Sequence, residues 1–272
     1  MRTTERVLIA TFVAVITMGL SGCKQDAKAA WNDIVKKCAK SDLNGSKVLY
    51  FGPSNNVGPG SIWRVPEGGG YRLRWTLGDM PGSEVALLPG NEVSCAGVAK
   101  TDFSGKASAG LLTSVTPASG EAAVEFGRAR KITANADSLS WDILKEGPFE
   151  QYVRELPATS SIKQELGTNT RLVAVRALRV KGFSAELEFS ASQAASLKAK
   201  YQGQLPAQLT GELNLGLEGT WVNETTLKIA AKDFYIAGEL GKYEAAGFAA
   251  ADNPVSDAVD IKDGNKLGRE KP

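Results

Sequence analysis

RLVAVRALRVKGFSAELEFS, residues 171–190, is the stretch whose reading decides the fold. It is a long β run with one break, at Lys181-Gly182. Beyond the break Phe183, Ala185, Leu187 and Phe189 point one way while Ser184, Glu186 and Glu188 point the other. That period of two belongs to a strand with one buried and one solvated face. The pattern recurs on both sides of this run. Tyr71, Leu73, Trp75 and Leu77 oppose Arg72, Arg74 and Thr76, and the same-face neighbours of the two aromatics mark them as core. Leu209, Gly211, Leu213, Leu215 and Leu217 oppose Thr210, Glu212, Asn214 and Glu218. Residues 47–51 and 61–65 read as strands, and a last strand runs from Leu227 and Ile229 through Phe234 and Ile236. Residues 83–88 and 92–98 read as a hairpin around Pro89-Gly90-Asn91, and 121–133 as a weaker strand with Arg128 and Arg130 on one face. Strands that are half apolar and half polar describe antiparallel sheet.

Helical spacing is rarer. Trp31, Ile34, Val35 and Cys38 form one stripe, expected to pack on the domain, with Lys36, Lys37 and Lys40 away from it or at its end. Phe149, Tyr152, Val153 and Leu156 form a second, which Pro148 can start and Pro157 stops. Residues 191–201 form a third. The expected fold is therefore α+β and sheet-rich, mainly antiparallel, with an N-terminal helix and two or three short helices. Residues 46–100 make a first β-rich half and 121–250 a second, α+β half. Between them 101–120, rich in Ser, Ala, Gly and Thr, reads as a linker or mobile loop. Residues 251–272 are charged and aperiodic, with little to bury, and read as a disordered tail.

The first residues state an address. Arg2 and Arg6 precede an uncharged run, VLIATFVAVITMGL, that is too short to span a bilayer and has the length of a secretory h-region. It ends at Leu20-Ser21-Gly22-Cys23. This quartet, in this place, resembles the lipobox of bacterial lipoproteins. The resemblance covers residues 1–23 and implies that 1–22 are a signal peptide, cut before Cys23. It also implies that Cys23 is diacylated on sulfur and acylated on its new amine. Two or more chains anchor stably where one binds marginally. Lys24, in place of Asp, resembles the signal that sends such proteins to the outer membrane. Residues 23–45 then form the lipid anchor and N-terminal helix, and the domain is expected to face the periplasm.

That compartment gives the cysteines a meaning. With Cys23 acylated, Cys38 and Cys95 remain, and an oxidising periplasm favours a disulfide between them over two buried thiols. Charge argues against one class of partner. The chain has 32 basic and 30 acidic residues, and loss of Arg2, Arg6 and Glu5 with the signal leaves 30 and 29, so nucleic acid is not expected. The absence of histidine excludes Ser-His-Asp triads, Cys-His pairs and His-ligated zinc or haem. No cysteine or histidine spacing suggests a metal, and no cofactor is expected.

Four weaker patterns remain. GPSNNVGPGSIW, residues 52–63, is glycine-rich after a strand, but its glycine spacing fits no P-loop, no Lys follows, and a strand rather than a helix comes next. It reads as a loop that binds no nucleotide. Ser160-Ser-Ile-Lys163 fits the SxxK spacing of penicillin-binding enzymes, but the companion boxes are missing and Ser21-Gly-Cys-Lys24 matches equally well. Glu186 and Glu188, with Glu212 and Glu218 on a neighbouring strand, could act as paired carboxylates on a glycosidic bond. Arg72 with Arg74, Arg128 with Arg130, and Arg176 with Arg179 could fork onto anionic groups. The sequence thus describes a lipid-anchored envelope protein, not an enzyme, that binds or scaffolds. Its expected partners are the membrane through the anchor and an envelope protein, lipopolysaccharide or peptidoglycan. The alternatives are a membrane-interacting or pore-forming β protein and a peptidoglycan-directed glycosidase.

Overall fold

The computed structural model describes residues 20–44, 48–67, 70–95, 101–103, 128–167, 171–200, 218–244 and 247–250. They form antiparallel sheets with an N-terminal helix and a few short helices. In chain order the strands are β1 (Val48–Ser54), β2 (Ile62–Arg64), β3 (Arg72–Trp75), β4 (Leu87–Leu88), β5 (Val93–Ser94), β6 (Thr101–Phe103) and β7 (Lys131–Asn135). There follow β8 (Ser138–Leu144), β9 (Arg171–Lys181), β10 (Phe183–Glu188), β11 (Glu218–Trp221), β12 (Thr226–Ala231), β13 (Phe234–Glu244) and β14 (Gly247–Ala250). The helices are α1 (Leu20–Ala39), α2 (Glu146–Glu155), α3 (Ser161–Leu166) and α4 (Ala191–Lys200).

The organising feature is three strand pairs that turn a corner at one line. The larger sheet holds β8, β9 and β13 side by side, and the smaller one holds their continuations β7, β10 and β12 in the same order. The corners fall at Ala136-Asp137, Gly182 and Lys232-Asp233, next to one another across the strands, and Asp137 N donates to Lys181 O at 2.9 Å. At each corner the alternation slips by one residue. Buried Ala134 and Ala136 give way to Leu139, Val180 gives way to Phe183, and Ile229 and Ala231 give way to Phe234. A strict period of two would carry one side chain in each strand to the wrong face, so the slip turns each apolar face toward the shared core. Gly182 makes its corner with φ 59°, and a Cβ there would lie 2.0 Å from Asp137 Oδ2.

This corrects the sequence reading in two places. Leu227–Ile236 is not one strand but β12 and β13, which belong to different sheets. The hairpin around Pro89-Gly90-Asn91 is not a hairpin: residues 83–86 form a 3-10 turn, and β4 and β5 each pair with β8 instead of with each other. Strands from both halves of the chain share the larger sheet, in which β1, β2 and β3 of the first half join β9 and β13 of the second. The proposed linker begins with β6, paired to β7, and its remainder lies outside the described residues. So do the 209–217 alternation and the 251–272 tail.

α1 fills the angle between the sheets. Ala30, Trp31, Ile34 and Val35 join Leu139, Leu178, Val180 and Phe234 of the larger sheet and Ile132, Ala134, Ala185 and Leu187 of the smaller in one apolar cluster. Asn32, buried in the same helix, accepts a hydrogen bond from Leu43 N at 2.8 Å and fixes the return of the chain. At the helix end Cys38 is joined to Cys95, with Cα atoms 5.0 Å apart and a sequence separation of 57. Cys95 N in turn donates to Asp137 O at 2.8 Å, so the bond ties α1 to the corner itself. Closing a loop of this length is worth about 4 kcal/mol in the chain-entropy account. Reductant should therefore lower the urea midpoint, and hydrogen exchange should show α1 amides losing protection before those of β9 and β10. Equal midpoints with and without reductant would refute this.

A second core lies under α2 and α3, where Phe149, Val153, Ile162 and Leu166 cover Ile62, Met80, Leu144 and Val173. A third joins Leu49, Phe51, Val57, Trp63 and Leu73.

Candidate functional site

β8 presents two faces of opposite chemistry. On one, Ser138, Ser140 and Asp142 line up with Lys181 and Arg179 of β9, and Arg179 is in register with Tyr235 of β13. Asp142 is buried and fully occupied. Its Oδ1 accepts from Ser140 Oγ at 3.1 Å and from Gly90 N at 3.0 Å, and its Oδ2 from Tyr235 Oη at 2.8 Å. Arg179 Nε stands 3.1 Å from that same Oδ2. Burial, followed by the Asp142 hydrogen bond and charge, pushes the Tyr235 hydroxyl far above the usual tyrosine range, so it remains a donor. Glu92 closes the cluster by accepting from Ser138 Oγ at 3.1 Å and from Lys181 Nζ. A Cβ at Gly90 would lie 2.0 Å from Trp141 O, so only glycine lets the loop cross β8 this closely. The cluster binds the 89–92 loop to the sheet and leaves Asp142 no lone pair for a substrate.

The arginine pairs divide in the same way. Arg74 Nε lies 3.0 Å from Glu165 Oε1 of α3, which also pairs with buried Arg171. Burial pushes the Glu165 carboxyl up, but the hydrogen bonds and charges of Arg74 and Arg171 outweigh it and hold the group below its usual value. A depressed carboxylate contributes stability at neutral pH that is lost as pH falls through its folded value. Glu165→Gln should accordingly lower stability at pH 7 and weaken its loss on acidification below about pH 4.3, the ordinary Glu value, as read by denaturant midpoints at several pH values. Arg72 is exposed and in register with Arg64. Arg128 and Arg130 are also exposed but precede β7 rather than lying on a strand face, and β7 belongs to the other sheet. The fold therefore does not gather Arg72, Arg74, Arg128 and Arg130 into one anion site. Arg176 Nη2 donates to Glu239 Oε1 at 2.5 Å, and its guanidinium lies 4.8 Å over the Trp141 ring.

The other patterns resolve structurally. Lys163 Nζ donates to the carbonyls of Arg154 and Leu156, each at 2.9 Å, and so caps the end of α2. Glu186 is in register with Thr133 and Lys228, and Glu188 with Lys131 and Thr226. Glu218 stands two strands from β10, on β11, and Glu212 lies outside the described residues. The glycine-rich loop is filled by its own chain. Ser54 Oγ accepts from Val57 N at 3.1 Å, Gly60 N donates to Ala174 O at 2.7 Å, and Trp63 Nε1 donates to Ser61 Oγ at 3.0 Å. Among the described residues no His, Cys, Asp and Glu group is placed to hold a metal, and no helix is long and apolar enough to cross a membrane.

The opposite face of β8 is where apolar surface is left open. Register places Val93, Leu139, Val180 and Phe234 in one row, Trp141, Leu178, Ala237 and Tyr50 in the next, and Leu88, Ile143, Arg176 and Glu239 in a third. α1 covers the middle of the first two rows. Beyond its edge the same face emerges: Leu88 is 47% exposed, Ile143 43% and Val93 43%, with Trp141 half-buried among them. Three of the five exposed large apolar side chains described thus fall in one strip beside α1. Sequence reading missed the strip because it took residues 83–98 as a hairpin, so that Leu88 and Ile143 were never seen as cross-strand partners. Arg176 and Glu239 rim it on one side.

No protein-family model matches the chain, and no curated protein matches it. Among solved structures it is similar to a bacterial gasdermin from Bradyrhizobium tropiciagri, at 15% identity and TM-score 0.38, over 76% of this chain and 87% of that one. Similarity at that level carries no argument about function.

Proposed function

We propose that this protein is a lipid-anchored envelope module, held in the outer membrane through Cys23 and facing the periplasm, that binds or scaffolds another envelope molecule and catalyses no reaction. The observation that supports it is the open strip of Leu88, Ile143, Trp141 and Val93, next to a helix that begins at the lipobox. Exposed apolar side chains that adjoin one another mark interaction surfaces, whereas scattered ones do not. The buried Asp142 and part-buried Glu165 carboxylates, by contrast, are bonded within the fold.

A photo-crosslinking residue at Ile143 of the native lipoprotein should give a defined adduct in intact envelopes, and one at exposed Glu224 should give none. Equal labelling at both positions, or none at either, contradicts the reading. The alternatives predict other outcomes. A pore former would release dye from vesicles, and a peptidoglycan hydrolase would release soluble sugar-peptide fragments from isolated sacculi. The binding module does neither.

A further inference from the structure

We propose that α1 is a strut and not a tether, and that it holds the domain against the headgroup surface of the bilayer. The inference rests on the lipid-anchor reading and adds to it the distance at which the domain works. α1 runs without interruption from Leu20 to Ala39 and so includes Cys23. Among the described side chains, Ala27, four residues on, is packed into the domain, followed by Ala30 and the fully buried Trp31. At 1.5 Å per helical residue, Cys23 lies about 6 Å along the axis from Ala27 and about 12 Å from Trp31. Even drawn out fully, four residues reach no more than about 14 Å.

A flexible linker of 20 residues, by comparison, gives a root-mean-square reach of about 25 Å and a much longer maximum. Nor can the helix peel away to lengthen the connection. Trp31 is seated between Phe183 and Phe234, with ring centroids at 5.0 and 5.6 Å, and the Cys38–Cys95 bond closes the far end. Acyl chains on Cys23 thus fix the corner of the two sheets near the membrane. The lipid surface is the domain's permanent neighbour, and any further partner must meet it there.

The test uses the mature acylated protein in vesicles of phosphatidylethanolamine and phosphatidylglycerol carrying a dansyl-headgroup lipid. Energy transfer from the tryptophans to dansyl is compared with that of a variant carrying 20 Gly/Ser residues inserted between Lys24 and Gln25. Mass spectrometry reports acylation of Cys23, and thermal unfolding reports that the domain is unchanged. The strut predicts that the insertion lowers transfer severalfold. Equal transfer in the two acylated proteins, high or low, overturns it. An unacylated Cys23 overturns the anchoring reading itself and the strut with it.

Discussion

Trp31→Ala is expected to lower stability by about 3–5 kcal/mol, the range for emptying a large buried aromatic site. The indole is fully buried, and its neighbours explain the size of the effect. Phe183 and Phe234 each begin a strand just past a corner, and their rings meet at 6.0 Å, edge to face. The Trp31 ring stacks obliquely on the first and edge-on against the second. Removing it leaves a cavity where three strands change direction, and that site cannot collapse without moving two sheets. A denaturant series reads the loss directly. A cost under 1 kcal/mol would mean that α1 merely lies on the surface and that the corner holds itself. Trp75→Ala should cost less, because Trp75, expected from its alternation to be core, is only half-buried.

Asp142→Ala is expected to cost about 3–4 kcal/mol, since removing one member of a buried charged network strands the others. Tyr235 Oη, Ser140 Oγ and Gly90 N lose their acceptor, and Arg179 loses its close ion pair. Arg179 is left with weaker company: Ser140 Oγ, which accepts from its Nε at 3.3 Å, and Glu92 and Asp233, both at 3.9 Å. Asp142→Asn keeps one acceptor oxygen and should fall between wild type and alanine. The loss should be accompanied by faster hydrogen exchange at Gly90 and along β4 and β5, because the cluster is what fastens that edge. A variant of normal stability would show that the buried carboxylate is held for some purpose other than the fold.

Much of this architecture was legible in the chain because burial imposes a period. The β9–β10 run, its break at Lys181-Gly182, the helical stripe of Trp31, Ile34 and Val35, and α2, with Pro148 in its first turn and Pro157 beyond its end, all follow from where apolar residues recur. What periodicity does not encode is partnership. Residues 227–236 have strand composition throughout, and the slip from Ala231 to Phe234 has a meaning only beside the matching slips at Ala136 and Val180. Leu87–Leu88 and Val93–Ser94 are too short to show a period, and their pairing with β8 depends on Gly90 crossing close to Trp141. The candidate surface was hidden for the same reason. Its side chains come from residues 48 to 55 positions apart, and the exposure of Ile143 depends on where α1 stops.

Arg74, a candidate anion binder by sequence, shares Glu165 with Arg171, and the three pin α3 to β3 and β9. Their partners lie far apart in sequence, and spacing alone does not tell a pinned charge from a free one.

We propose that Cys23 is the lipid-bearing start of the mature chain, on a helix bolted into the fold by Trp31 and the Cys38–Cys95 bond. The intact mass of the protein purified from envelopes without reductant tests it most directly. The expected result is a chain that begins at Cys23 and carries three acyl chains there, with no thiol that alkylates after denaturation. A chain that retains residues 1–22, or that begins at an unmodified Cys23, would contradict it.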